Sequence, residues 1–176
     1  ASVNAIDAHY FSSDQRWTLD GQLMFSDSND MAGKGFLGDL RYAPTQGTQL
    51  EVSATYIDDA FDMNGLGFLV RNSQMNLDYS LTMTESDIPG IRSRTTTIRL
   101  FNQYNTDGDP VRNGRFFGRA WSFLNNNKFD FTLGYLPKRV DDRLGRGSGK
   151  WKIPERPLVR SSFSSNPANL LAWSFN

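Results

Sequence analysis

The chain has no cysteine and a single histidine, His9. The first absence removes disulfide scaffolds and Cys-based zinc sites. The second removes any multi-His metal centre and leaves little room for Ser-His catalysis. No apolar run approaches the roughly 18 residues that a transmembrane helix needs. There is no excess charge either: 19 Lys and Arg balance 19 Asp and Glu, so nothing points to nucleic acid or to an acidic ligand. Ala1 to Tyr10 lacks a basic start and an apolar run, so no signal peptide is read there and the chain is expected to be a mature protein or an excerpt of one.

What is present is aromatic. Aromatic residues make up 13% of the 176 residues, with 13 Phe. That is too many for a disordered chain, although mean hydropathy is negative. The length suits one domain, 1–176.

Alternation dominates the pattern. Trp17, Leu19, Leu23 and Phe25 alternate with polar residues, with Gly21 in phase. Leu50, Val52, Ala54 and Tyr56 do the same, as do Met75, Leu77, Tyr79, Leu81 and Met83, and then Phe129, Phe131, Leu133 and Tyr135. Ten strands are expected, near Val3–Phe11, Arg16–Phe25, Gly35–Tyr42, Gln49–Tyr56, Gln74–Thr84, Arg94–Tyr104, Arg115–Leu124, Lys128–Tyr135, Pro157–Phe163 and Leu170–Phe175. In Arg115–Leu124 either face could be the apolar one. Short connections alternate with long ones, the long ones lying near 26–34, 57–73, 105–114 and 136–156. This requires Leu66–Val70 to belong to a loop or to extend the next strand.

Short turns at one end and long loops at the other are the pattern of an outer-membrane barrel. Aromatics close the ends of the apolar faces at Trp17, Phe25, Tyr42, Tyr56, Tyr104, Phe129 and Tyr135, which suits rings at headgroup level. The expected fold is all-β: an antiparallel up-and-down meander forming a transmembrane outer-membrane β-barrel, as an arc of a larger barrel. The first strand, near Ile6 to Tyr10, and the last, near Leu171 to Phe175, should each present an unpaired edge. A soluble β-sandwich shows the same alternation and is the alternative fold.

Three stretches carry a family resemblance: NAIDAHYFSSDQRWTLDGQ at 4–22, FDMNGLGFLVRNSQMNLDYS at 61–80 and DDRLGRGSGKWKIPERP at 141–157. They resemble an uncharacterised bacterial outer-membrane family in which a domain similar to family-9 carbohydrate-binding modules precedes a long C-terminal barrel. The resemblance implies a barrel segment in the bacterial outer membrane. It carries over no catalytic residue.

Polar residues expected to face a lumen are Arg16, Asp20, Gln22, Glu51, Gln74, Asn76, Asp78, Arg99 and Asp130; cross-strand pairing inside a packed barrel is their structural reading. Loop candidates for binding are Phe61 and Trp151, as stacking residues for a glycan, and Asp141, Asp142, Arg143 and Arg146 in a Gly-rich loop. Arginines there could hold lipopolysaccharide phosphates, or the four could pair among themselves. Asp58 to Gly65 resembles a calcium loop but lacks its third-position acid and distal Glu. Asn105, Asp107 and Asp109 are spaced for a weak calcium contact or a plain turn. Gly145–Lys150 fails as a phosphate loop, because Leu144 precedes it and Trp151 follows the lysine.

No acid/base pair emerges, so no catalytic residue, metal or cofactor is expected. The leading function is solute passage or uptake, or a surface scaffold, in the outer membrane. Its partners would be outer-membrane lipid, lipopolysaccharide or glycan, and remaining strands of the same polypeptide or another chain. A glycan- or partner-binding surface module is the alternative, and a hydrolase on a β scaffold the third.

Overall fold

A computed structural model describes residues 2–28, 31–62, 71–143, 149–169 and 171–175. The described elements are strands: β1 Ser2–Phe11, β2 Trp17–Ser28, β3 Met31–Thr45, β4 Thr48–Ile57, β5 Gln74–Glu85, β6 Ile91–Tyr104, β7 Pro110–Phe123, β8 Lys128–Leu136, β9 Arg139–Asp141, β10 Trp151–Ile153, β11 Arg156–Ser164 and β12 Ser174–Phe175. Ten of them form one antiparallel sheet in the order β1-β2-β3-β4-β5-β6-β7-β8-β11-β12, and β9 and β10 make a separate hairpin. The expected meander is therefore present. Two expected long connections are shortened by strand: β2 and β3 run through most of 26–34, and β7 begins at Pro110, half-way along 105–114. The hairpin inside 136–156 was missed, and the final strand is only two residues long. Leu66–Val70 lies outside the described residues.

No closed barrel is found among the described residues, and the open edges expected at the first and last strands are. β1 pairs only with β2; at the far side β11 pairs with β8 and, over two residues, with β12. The sheet is open, with an edge at each side. The transmembrane barrel is thus corrected to an open antiparallel sheet, and the lumen, the porin-like passage and the outer-membrane placement that depended on closure are withdrawn with it. Alternation assigns each side chain to a face but says nothing about whether the sheet is a barrel wall or an open layer, and that is where the membrane reading failed. No described helix is long and apolar enough to cross a membrane, a fact that is silent about strands.

The register sorts the side chains. Leu19 pairs with Leu40, Leu40 with Val52, Val52 with Tyr79, Tyr79 with Leu100. Paired residues share a face, so one apolar face runs across the sheet. In β7 it takes Phe117 and Trp121, together with Arg115 and Arg119, which resolves the ambiguous strand. The Arg119 guanidinium lies over the Phe117 and Trp121 rings, at 5.5 and 6.0 Å, so its charge sits on aromatic faces. No second sheet covers this face among the described residues. Leu19 is 46% exposed and Leu133 43%.

The dry core lies on the opposite face. Met24, Ile57 and Phe61 are buried together, with Val3 and Leu37 against them. The chain leaves β4 and folds back over β2 and β3: the backbone N–H of Lys34 donates to Asp58 (2.9 Å) and that of Asp62 to Ser26 Oγ (3.0 Å). Phe61, 2% exposed, stabilises this return by about 1.5–3 kcal/mol. Gly33 permits it, since a Cβ there would lie 2.3 Å from Phe61 Cα.

Candidate functional site

Three groups of side chains could serve a function. The first is the polar face. Asp20, Gln22, Glu51, Gln74, Asn76, Asp78, Arg99 and Asp130 fall on it together by register. Arg16 sits in the turn before β2, 3.8 Å from Asp14. These groups pair across strands: His9 Nδ1 with Asp20 at 2.5 Å, Gln22 donating to Asp7 at 2.6 Å, Ser53 donating to Asp39 at 2.5 Å, Arg99 beside Asp78 at 3.8 Å, Gln103 donating to Gln74 at 3.2 Å. Their cross-strand reading is what the geometry displays, on an open surface rather than around a lumen. This face also holds an aromatic pair that alternation did not reveal. Phe101 and Phe116 stack at 5.8 Å, in space left by Gly114 and Gly134.

The second group joins the long connections. Arg71 donates two hydrogen bonds to Asp142, at 2.9 and 2.5 Å, with only 10% and 17% of the two side chains exposed. Asn105 Nδ2 donates to Asp142 (3.3 Å) and to Asp109 (3.1 Å), and Lys150 Nζ donates to Asp109 (2.5 Å) and Asp107 (3.2 Å). The Arg71 hydrogen bonds, helped by Asn105 and opposed by burial, hold the Asp142 carboxyl down at about 2. Lys150, then Asn105, holds Asp109 below its usual value, and the same contact with Asp109 raises Lys150. The calcium spacing at Asn105, Asp107 and Asp109 is thus served by an ammonium group, and the described residues include no metal-holding cluster.

The third group is the loop candidates, which do not converge. Phe61 is buried in the return, so it offers no stacking surface. Asp141 pairs with Trp151 in the small hairpin, where Trp151 is exposed. Asp142 is committed to Arg71, and Arg143 hydrogen-bonds Asn72 at 3.5 Å. Arg146 lies outside the described residues. Beside the hairpin, Pro110, Lys138, Val140, Lys152 and Ile153 help line an open cleft of about 580 Å³. Arg71 itself escaped the sequence reading, because one arginine after an apolar stretch has no distinguishing spacing. The return could have been found: Gly33 and Gly35, alternate positions of one strand, mark a close backbone approach.

One family model matches, described as a domain of unknown function, DUF5916, over residues 1–176. The chain belongs to the DUF5916 family. That description names no barrel, membrane or carbohydrate-binding partner domain. With the sheet open, the resemblance to an outer-membrane barrel family is corrected to membership of DUF5916 alone. No curated protein and no solved structure matches the DUF5916 chain.

Proposed function

We propose that the DUF5916 domain is a partner-binding β module rather than an enzyme: a single sheet layer whose apolar face is the contact surface for the same face of a second copy of the chain. The observation that supports this is the uncovered face carrying Leu19, Leu23, Leu77, Ile98, Leu100 and Leu133, all of them exposed. Contiguous apolar patches beyond a few hundred Å² are rare on monomers and mark interaction sites. A sheet with one apolar and one polar face is the layer from which β-sandwiches are built, a second layer packing about 10 Å away.

The test places one charge at the centre of the face. Leu77 is exposed in β5, so Leu77→Lys should leave strand pairing intact. Sedimentation of the wild-type chain should show concentration-dependent association, and Leu77→Lys should abolish it with an unchanged circular dichroism spectrum. A wild-type chain that stays monomeric at high concentration overturns the proposal. So does transfer of the wild-type chain into phosphatidylethanolamine vesicles without self-association, which would assign the face to lipid.

A further inference from the structure

We infer that the polar face holds a binding site for one neutral sugar ring, in a hollow over β6, β7 and β8. The site goes beyond the partner-layer reading and lies on the opposite face of the sheet, so the Leu77→Lys experiment does not bear on it.

Strand pairing builds the hollow. Thr95, Thr97 and Arg99 of β6 stand opposite Ala120, Gly118 and Phe116 of β7. On the other side of β7, Ala120 and Gly118 stand opposite Asp130 and Thr132 of β8. Paired residues share a face, so all of these lie on the polar one. The middle strand is low at Gly118 and Ala120 where its neighbours are tall, and a hollow of about 270 Å³ opens there. Other glycines of this face are covered. A Cβ on Gly114 would meet the Phe101 ring at 2.5 Å, and one on Gly134 the Phe116 ring at 2.6 Å. Above Gly118 the nearest atom is Thr132 Oγ1, at 3.7 Å.

The lining fixes the ligand class. Phe116 is an apolar wall, held by its stack on Phe101 and its seat over Gly134. The hydroxyls of Thr97 and Thr132 both donate and accept, Asp130 accepts and Arg99 donates. Thr95 Oγ1 lies 3.1 Å from Thr84 Oγ1, and Asp130 accepts from Ser162 at 3.4 Å, contacts that position both side chains. The matching ligand has an apolar patch ringed by hydroxyls, which describes a pyranose. A phosphate would meet the Asp130 charge, and the one guanidinium is already 3.8 Å from Asp78 and over the Phe101 ring. A purely apolar ligand would strip water from these polar groups and return no hydrogen bond. The volume falls just short of the roughly 300 Å³ at which drug-sized pockets begin, so it suits one ring rather than a chain.

Threonine methyl resonances of the full chain, followed by NMR, test this. Methyl glucoside, methyl galactoside and methyl mannoside are titrated in, with cyclohexanol and serine as controls. At least one glycoside should move the Thr97 and Thr132 methyls, with a Kd on the order of millimolar, and neither control should. Gly118→Val fills the hollow at ordinary contact distances, so it should abolish the shifts with an unchanged circular dichroism spectrum. Thr97→Val keeps the side-chain shape and should weaken binding about two- to tenfold, and Asp130→Ala about tenfold or more. No shift with any glycoside up to about 100 mM, shifts that survive Gly118→Val, or an unchanged affinity in Thr97→Val overturns the inference. Equal shifts with cyclohexanol overturn it too, and shifts with serine alone overturn it in favour of a zwitterion.

Discussion

Replacing Asp142 by asparagine keeps the shape of the side chain and removes its charge. The folded protein holds this carboxyl at about 2, against 3.8 for an ordinary one, chiefly through the Arg71 hydrogen bonds. That depression corresponds to about 2 kcal/mol of stability at neutral pH. The variant also leaves Arg71, 10% exposed in its side chain and with an unpartnered Nε, without its counter-charge. Breaking a buried pair from one side costs about 3–5 kcal/mol, so the expected loss lies between about 2 and about 5 kcal/mol. The sign follows from the folded value lying below the unfolded one. The contribution is complete above about pH 4, shrinks as pH falls, and is gone below about pH 2. The groups facing Asp142 are Arg71, Asn105 and, through Asn105, Asp109 with Lys150. Asp109 is held below its usual value by Lys150 and Asn105 while the Asp142 charge opposes this, so the variant also lowers Asp109 further and the difference carries that smaller share. Urea unfolding followed by circular dichroism should show a gap at about pH 7 that closes towards about pH 2. A gap under about 0.5 kcal/mol at neutral pH, or one that persists unchanged in acid, refutes the reasoning.

Gly33→Ala should displace the return over β2 and β3, because the added Cβ meets Phe61 backbone at 2.3 Å; a loss of about 1–3 kcal/mol in urea titration is expected. Phe61→Ala should cost about 3–5 kcal/mol, whereas Trp151→Ala, at an exposed site, should stay within about 0.5 kcal/mol; the reverse ranking would restore Phe61 as a surface residue. Gly47 has φ +83° and would place a Cβ 2.3 Å from the Thr84 carbonyl oxygen. Gly47→Ala should therefore lower the thermal midpoint by the equivalent of about 1–2 kcal/mol.

The strands were legible because alternation is a local property. Trp17 to Phe25 and Gln74 to Thr84 declared their faces without reference to any neighbour, and the register obeys them. Their order was legible too, since short turns favour adjacent antiparallel pairing. Whether the sheet is a barrel wall or an open layer was not, because the same alternation serves both and no local period encodes the difference. The polar residues were found, but the Asp142 lock was not, since its members stand 71 and 37 residues apart in sequence. Phe61 was misassigned for a related reason: an aromatic in a polar loop looks exposed until Gly33 shows where the loop goes.

The tryptophans are unevenly placed. Trp17 stacks on Tyr42, Trp121 on Phe129 and Trp173 on Phe163, all at the short-turn end, while Trp151 stands alone on the hairpin at the other. Intrinsic fluorescence of this protein is therefore a report weighted towards one end of the sheet. The stacked indoles follow the turns and the aromatic rows, and an opening of the Arg71–Asp142 joint leaves them dark. Only Trp151, on the strand that follows Lys150 and pairs with Asp141, can see it. A Trp151→Phe variant would blind the emission spectrum to the loop end, and subtracting its signal from that of the intact chain would isolate the motion of the loops.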